Sequence, residues 1–303
     1  MARSSAYVFC RYQILDAEEK PLSAREEFEL FEEVTGKPIA YRVREPKPDD
    51  FDTYLLKARQ KRISSYTVHT WEIAQDIKFR EATKYDKKKD ETKDEVVETD
   101  EIRHTKFLGI PNLAVFAVED TVSERSLGAR SAVGRFAAVI ETLKNGFDVR
   151  VTFAGTPEDA QRALDSWSLD QFTFTVRPFN PTPRKLGEQL HEFMVSDKVG
   201  SLRAVALPDQ SHDMRDSHKG LISEVKGLSD AGYGQYGAAG TTPDGLHASI
   251  SKPKFELDKE KNIKHQSQNR TLKIYIEHSE TLDQEEAAIV KALLDLYGPK
   301  KTT

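Results

Sequence analysis

The chain has 303 residues and a formal net charge of -5, with 31% charged and 38% hydrophobic residues. This composition can build one large or two ordinary domains, and it argues against a protein that binds nucleic acid through overall positive charge. The single cysteine, Cys10, excludes an internal disulfide and a thiolate metal cluster. No apolar stretch approaches bilayer length, so we expect a soluble, cytoplasmic protein without membrane contact.

The sequence pattern of residues 1–106 predicts an N-terminal α+β region. Ser23 and Glu26 have the spacing of a capping box, which predicts the start of a helix that Gly36 ends. Apolar alternation predicts strands on both sides of that helix, and the first of them places Cys10 as a buried thiol. The predicted strands span residues 7–15 and 65–79, whereas residues 50–65 fit either a helix or a loop.

A charged insertion follows the second strand. Residues 87–95 contain lysines, acids and one threonine but no apolar side chain. Such a stretch cannot bury enough surface to offset the entropy lost on ordering, so we predict a mobile loop near 87–95. A solvated loop is favoured over a basic contact patch, because the acids cancel the lysines.

Residues 107–303 alternate between strand and helix patterns. This order predicts right-handed crossovers and a mixed sheet with ferredoxin-like βαβ units, whose helices lie mostly on one face. No proline- or glycine-rich linker marks the boundary at residues 106 and 107, so a single domain is also compatible with the sequence. The predicted strands span 107–120, 147–153, 171–178, 202–208 and 271–279, with a hairpin at 233–252 and helices at 123–146, from 156 onward, 183–195, 217–232 and 282–298.

Two strands of this region suggest where nucleic acid would bind. Residues 172, 174 and 176 form an apolar face that helices must cover, and the opposite face carries threonine and Arg177. Without aromatic rings on the open face, base stacking is disfavoured, but phosphate contacts through Arg150 and Arg177 stay open. An ordinary solvated face is the favoured interpretation of these strands. A basic cluster elsewhere could also meet phosphates or an acidic partner, although an exposed helix face explains it more simply: Lys57, Arg59, Lys61 and Arg62.

The densest group of potential metal ligands lies at residues 211–219. Imidazole and carboxylate groups there could bind a divalent ion or serve as acid and base. Their spacing matches no metal motif, and the segment fits a polar loop in which Asp216 or Ser217 caps the next helix. We therefore expect no metal and no catalytic role, while keeping as low-probability candidates His212, Asp213, Asp216 and His218.

The stretch GYGQYG, residues 232–237, matches the spacing of a dinucleotide-binding loop. That function needs a strand before the glycines and a helix after them, so that the pyrophosphate meets a helix N-terminus. Here the order is reversed, which excludes the interpretation as a cofactor loop. We expect no cofactor.

The second half of the chain resembles an uncharacterised bacterial family of unknown function. The resemblance lies in a strand–helix–strand unit that ends in an R-P-N-P-like turn at residues 177–181, followed by a helix and a glycine-rich hairpin with Asp244 and Gly245 at its turn. It implies a bacterial protein from a mobile-element or antiviral setting. It implies no catalytic residue.

The sequence favours binding over catalysis. The leading hypothesis is a component of a phage-defence or regulatory system that contacts another protein, a further copy of itself or a nucleic-acid backbone. The first alternative is a metal-dependent nuclease or related phosphodiester hydrolase that uses residues 212–218. The second alternative is a structural subunit of a larger complex.

Overall fold

The computed structural model is a mixed α+β structure built mainly from antiparallel sheet, which confirms the α+β part of the predicted fold class. The chain divides into two compact units, the N-proximal unit (Cys10–Thr152) and the C-terminal unit (Met1–Phe9 with Phe153–Thr303). The boundary expected at residues 106 and 107 falls inside a strand of the N-proximal unit. The structure describes residues 4–40, 52–86, 91–121, 123, 125–177, 192–209, 212–251, 255–257, 263–266, 270–277 and 281–299.

Antiparallel strands and two helices form the N-proximal unit. Strand β1 (Ser4–Leu15) enters this unit at Cys10, whose thiol is fully buried as predicted, and burial raises its pKa. The other strands follow in the sheet order β2-β3-β4-β5-β6, and β7 pairs with β1. Their bounds are β2 (Ile39–Ala40), β3 (Asp52–Ile63), β4 (Tyr66–Asp86), β5 (Glu91–Ile110), β6 (Val115–Glu119) and β7 (Asp148–Phe153).

Helices α1 (Ala24–Val34) and α2 (Ala129–Leu143) contribute to an aromatic core in this unit. The predicted capping box starts α1, because the N–H of Glu26 donates to Ser23 Oγ at 3.3 Å and the N–H of Ser23 donates to the Glu26 carboxylate at 2.8 Å. The Trp71 ring stacks on Phe107 with 5.2 Å between centroids, and both rings are almost fully buried. Burying each such side chain stabilises the fold by about 1.5–3 kcal/mol.

The predicted loop at 87–95 is wrong for its second half. Residues 91–95 lie in β5 and pair with β4, from Ala82↔Glu95 to Asp86↔Glu91, whereas residues 87–90 lie outside the described part of the chain. Backbone hydrogen bonds between two antiparallel strands need no apolar side chains, so a charged composition does not prevent the pairing. The two strands therefore continue as a two-stranded ribbon beyond the residues that pair with β3 and β6.

Residues 50–65, which fitted either a helix or a loop, are mostly strand where the structure describes them, with a turn at residues 64–65. Asp52–Ile63 is a strand, and its register with β4 shifts between Leu56 and Arg59. Lys57 has φ of 54° at this shift, which marks a bulge. The bulge breaks the period-two pattern that would have identified the strand. Because the segment is a strand, the basic cluster lies on β3 and not on a helix.

In the C-terminal unit, antiparallel strands form a sheet, and three helices are described over their full length. The sheet order is β1-β14-β11-β10-β8-β9, and β12 and β13 form a separate pair. The strands are β8 (Ser168–Val176), β9 (Leu202–Ala206), β10 (Gly234–Thr241), β11 (His247–Ile250), β12 (Phe255–Leu257), β13 (Ile263–Gln266) and β14 (Leu272–Glu277). The helices are α3 (Pro157–Ser166), α4 (Leu221–Asp230) and α5 (Leu282–Tyr297).

The elements β7, α3 and β8 exist as predicted, but they do not confirm a ferredoxin-like βαβ unit. Strand β7 pairs with β1, whereas β8 pairs antiparallel with β9 and β10. The neighbours of β8 come from later in the chain, and that long-range pairing leaves no signal in the local pattern. Of the predicted helix at 183–195, residues 183–191 lie outside the described part of the chain, and residues 192–196 are helical.

The predicted division of β8 into an apolar and a polar face is confirmed. Phe172, Phe174 and Val176 are buried, and Phe172 stacks on Tyr236 of β10 with 5.4 Å between centroids. The two threonines between them are only partly buried. No helix in the described part of the chain is long and apolar enough to cross a membrane.

Candidate functional site

The four candidate ligands in residues 212–218 do not converge on one site. The Nδ1 atom of His212 lies 3.3 Å from Asp209 Oδ2, with both side chains mostly exposed. Asp213 pairs with Arg215 at 3.3 Å, also in solvent. Only Asp216 turns inward, where its side chain is completely buried. Among the four candidates, therefore, only Asp216 is buried.

Asp216 and His218 instead meet Asp165 of α3. The Nε2 atom of His218 lies 3.7 Å from Asp165 Oδ1, and its Nδ1 atom lies 3.9 Å from Asp216 Oδ2. Potential ligand atoms of these three residues all lie within 4.8 Å of one another. Two carboxylates and one imidazole are a ligand set that zinc accepts. Sequence reasoning missed Asp165, because it is brought to the segment only by the packing of α3.

A lysine already pairs with the buried carboxylate of this cluster. The ammonium group of Lys226, on α4, contacts both Asp216 Oδ2 and Gln161 Oε1. Burial raises the pKa of Asp216, but hydrogen bonds from Lys226 and from the N–H of His218 (2.9 Å) outweigh it and hold that pKa below its usual value. A divalent ion would have to displace the ammonium group from the buried carboxylate. Lys226 and Asp216 therefore form a buried ion pair that links α4 to the loop before it. The contact of Lys226 with Gln161 extends this link to α3.

The predicted cap of the following helix is wrong. Helix α4 begins after Gly220, and no side chain caps it. Asp216 Oδ1 instead accepts the N–H of His218, whose φ of 57° is unusual for a residue with a side chain. Asp216 thus stabilises the loop and the ion pair rather than the start of α4.

The basic residues predicted to contact phosphate are divided between the two units. Lys57 Nζ lies 3.1 Å from Glu72 Oε1, and Arg150 Nε donates to Asp148 Oδ2 at 2.7 Å. Arg150 is on β7 of the N-proximal unit, whereas Arg177 follows β8 of the C-terminal unit. The two arginines that were expected to share a sheet face therefore belong to different compact units. The remaining members of the basic cluster lie along β3: Arg59, Lys61 and Arg62.

A different feature stands out in the C-terminal unit, namely the edge of its sheet. Strand β9 is the last strand in the sheet order and pairs with β8 alone among the described strands. Val205 is 52% exposed on β9, and Leu207, directly after it, is 67% exposed. Apart from Ile102, the exposed large apolar residues of the described chain all belong to this unit: Phe193, Val195, Val205, Leu207, Leu221, Tyr275 and Leu282.

No protein-family model matches the chain, and no curated protein matches it significantly.

The open face of the same sheet carries one aromatic residue that the strand analysis missed. Tyr275 of β14 lies opposite His247 of β11 and is 37% exposed, with its hydroxyl 3.4 Å from Ser249 Oγ. Small residues of β10, together with Gln171 and Thr173, line a hollow of about 240 Å³. The expectation of an open face without aromatic rings concerned β7 and β8 alone and therefore did not include Tyr275.

We predict that purified protein holds no stoichiometric divalent metal, because Lys226 occupies the position that an ion would need beside Asp216. Elemental analysis after dialysis against zinc, manganese or magnesium checks this. Replacing His212 and His218 with alanine should leave metal content and stability nearly unchanged, since both side chains are largely exposed. One equivalent of metal that disappears in this double variant would instead establish a metal site.

Proposed function

We propose that the protein acts by binding, and that strand β9 receives an extended segment of a protein partner. The single observation that carries the proposal is that β9 is an edge strand with exposed Val205 and Leu207. An edge strand has a row of backbone N–H and C=O groups without partners in the sheet, and an added strand satisfies them. The alternating exposed side chains then supply the specificity of the contact.

A protein partner is favoured over nucleic acid on charge. Nucleic-acid affinity comes mainly from cations that displace counterions at phosphates. In this chain Lys57 and Arg150 lie against acids, and the overall charge is -5. The apolar edge of the C-terminal unit is better suited to another polypeptide, whose backbone is neutral.

The enzyme alternative has less support than binding. A hydrolase built on residues 212–218 would need a metal ion or a free acid–base pair near a substrate-sized cleft. The cleft beside this segment, lined by Asp209, His212 and Asp213, holds about 330 Å³, but its histidine is paired with Asp209 in solvent. The buried Asp216 is paired with Lys226. A structural subunit would use the same edge strand, so that alternative is a form of the binding function. The cytoplasmic phage-defence setting implied by the resemblance stays a prediction.

Selection of linear peptides from a displayed library tests this proposal. The full-length protein should enrich extended peptides with alternating apolar residues. Replacing both Val205 and Leu207 with glutamate should weaken binding of the selected peptides by at least about tenfold, because buried charge opposes pairing at the edge. The matched control is Leu282→Glu, which changes an equally apolar residue that is 47% exposed in the same unit.

Two outcomes would count against the proposal. Peptides that bind the double variant as tightly as the wild type would place the binding surface elsewhere. Tight binding of single- or double-stranded DNA or RNA at low salt, measured by fluorescence anisotropy, would replace the protein partner with a nucleic acid.

A further inference from the structure

We infer that the partner of β9 is a second copy of this chain, whose own β9 pairs antiparallel with it around a twofold axis at Ala206. This inference rests on the proposed function of β9 as a strand-receiving edge. Pairing of this kind would join the C-terminal sheets of two copies into one continuous sheet. It would use the same surface on both copies, as twofold symmetry requires.

The exposed residues of β9 and the segment after it are complementary to themselves. Exposure alternates from Leu202 to Leu207, so that Arg203, Val205 and Leu207 lie on the exposed side; Pro208 and Asp209, which follow, are both exposed. With the axis at Ala206, antiparallel pairing puts Arg203 opposite Asp209 and Val205 opposite Leu207. By symmetry each pair occurs twice, so every charge meets its opposite and every apolar side chain meets another.

Neighbouring registers lose this match. With the axis at Val205, Arg203 would lie opposite Leu207, and Asp209 would lie opposite Ser201. With the axis at Ala204, Arg203 would lie opposite Val205. Only the axis at Ala206 combines the apolar pair with the charge pair, so it is the register that we assign.

The edge also has little that would prevent such pairing. Edge strands are usually protected by lysines, bulges or proline within the strand. The ladder between β9 and β8 runs without a register shift from Leu202 to Ala206, and Arg203 is the one charged residue in β9. In the assigned register the hydrogen bonds between the two copies fall to odd positions, which avoids Pro208, a residue that comes after the strand and has no N–H.

The carboxylate of Asp209 is accessible to an arginine of the second copy. It is 68% exposed and contacts His212 Nδ1 at 3.3 Å. A carboxylate offers about four acceptor positions, so it can accept an arginine from the second copy in addition to contacts within its own chain.

A charge exchange tests the register. Sedimentation velocity over a range of concentrations should show a dimer of the full-length protein. Arg203→Glu and Asp209→Arg should each weaken it at least about tenfold, since each places like charges opposite one another. The variant with both changes restores opposite charges and should recover dimerisation. Leu282→Glu, outside the edge, should have no effect.

Disulfide trapping gives a second measurement. In the assigned register Ala206 faces Ala206 of the other copy with Cα atoms about 4.5–5.5 Å apart, within the range that a disulfide spans. Ala206→Cys should therefore cross-link under mild oxidation, whereas Ala204→Cys, which would face Pro208, should not. The native Cys10 is fully buried and does not interfere.

A monomer at all concentrations, or a dimer that the charge exchange leaves unchanged, would overturn the inference. If the protein is a monomer but β9 still binds selected peptides, self-pairing is wrong and the proposed function stands. If neither peptides nor a second copy depend on β9, both proposals are wrong.

Discussion

Gly155→Ala is expected to unfold the C-terminal unit, with a loss of more than about 4 kcal/mol in the free energy of unfolding. Gly155 has φ of 148°, which side chains rarely adopt. A Cβ atom there would lie 1.7 Å from the carbonyl oxygen of Arg270, which is a backbone atom and cannot rotate away. The same two residues share a hydrogen bond, because the N–H of Arg270 donates to the Gly155 carbonyl at 2.7 Å. The methyl group would therefore separate two backbone segments that the fold holds together.

The matched control is Gly245→Ala in the hairpin between β10 and β11. Gly245 also has positive φ, 84°, but a Cβ atom there would meet nothing within 4 Å. That substitution should cost only about 1–2 kcal/mol, the cost of left-handed backbone for a residue with a side chain. Hydrogen exchange in increasing denaturant measures how much each variant lowers the free energy of unfolding of the C-terminal unit. Equal losses for both would show that Gly155 and Arg270 do not approach as closely as described.

The sequence predicted those elements whose starts and ends are set by residues close to them in the chain. The Ser23–Glu26 capping box starts α1, and Thr156 with Pro157 starts α3. The apolar face of β8 was also predictable, since the alternation of Phe172 and Phe174 already assigns one side to the core. In each case the controlling contacts lie within a few residues along the chain.

Long-range pairing controls the features that could not be predicted. The bulge at Lys57 hides β3 from a period-two pattern, and the charged residues 91–95 become a strand only because β4 lies beside them. The packing of α3 brings Asp165 close to Asp216, although 50 residues lie between them in the sequence. No sequence motif spans such a separation. The strand at β9 was predicted, but its position at the edge of the sheet depends on which strands pair with β8.

Glu27→Ala is expected to destabilise the N-proximal unit by about 3–5 kcal/mol, the usual cost of removing one partner of a buried polar network. Glu27 Oε1 accepts the hydroxyl of Tyr12 at 2.8 Å and lies 2.9 Å from His69 Nδ1. All three side chains are almost completely buried, and burial together with the nearby carboxylate raises the pKa of Tyr12 well above its usual value. The His69 ring also lies 3.1 Å from Gln60, so the network joins β1, α1, β3 and β4.

Glu29→Ala on the same helix is the control for Glu27→Ala. Glu29 is 56% exposed and pairs only along the surface with Arg25 at 2.8 Å, so its loss should cost about 0–1 kcal/mol. Glu27→Gln keeps an acceptor oxygen near both partners and should fall between the two alanine variants. Tyr12→Phe removes one of the two groups that Glu27→Ala would leave unsatisfied. Combining them should therefore cost less than the sum of the single losses, by about 1–3 kcal/mol in a double-mutant cycle measured by urea unfolding. Strict additivity would mean that Tyr12 and Glu27 stabilise the unit independently, which the 2.8 Å contact between them does not allow.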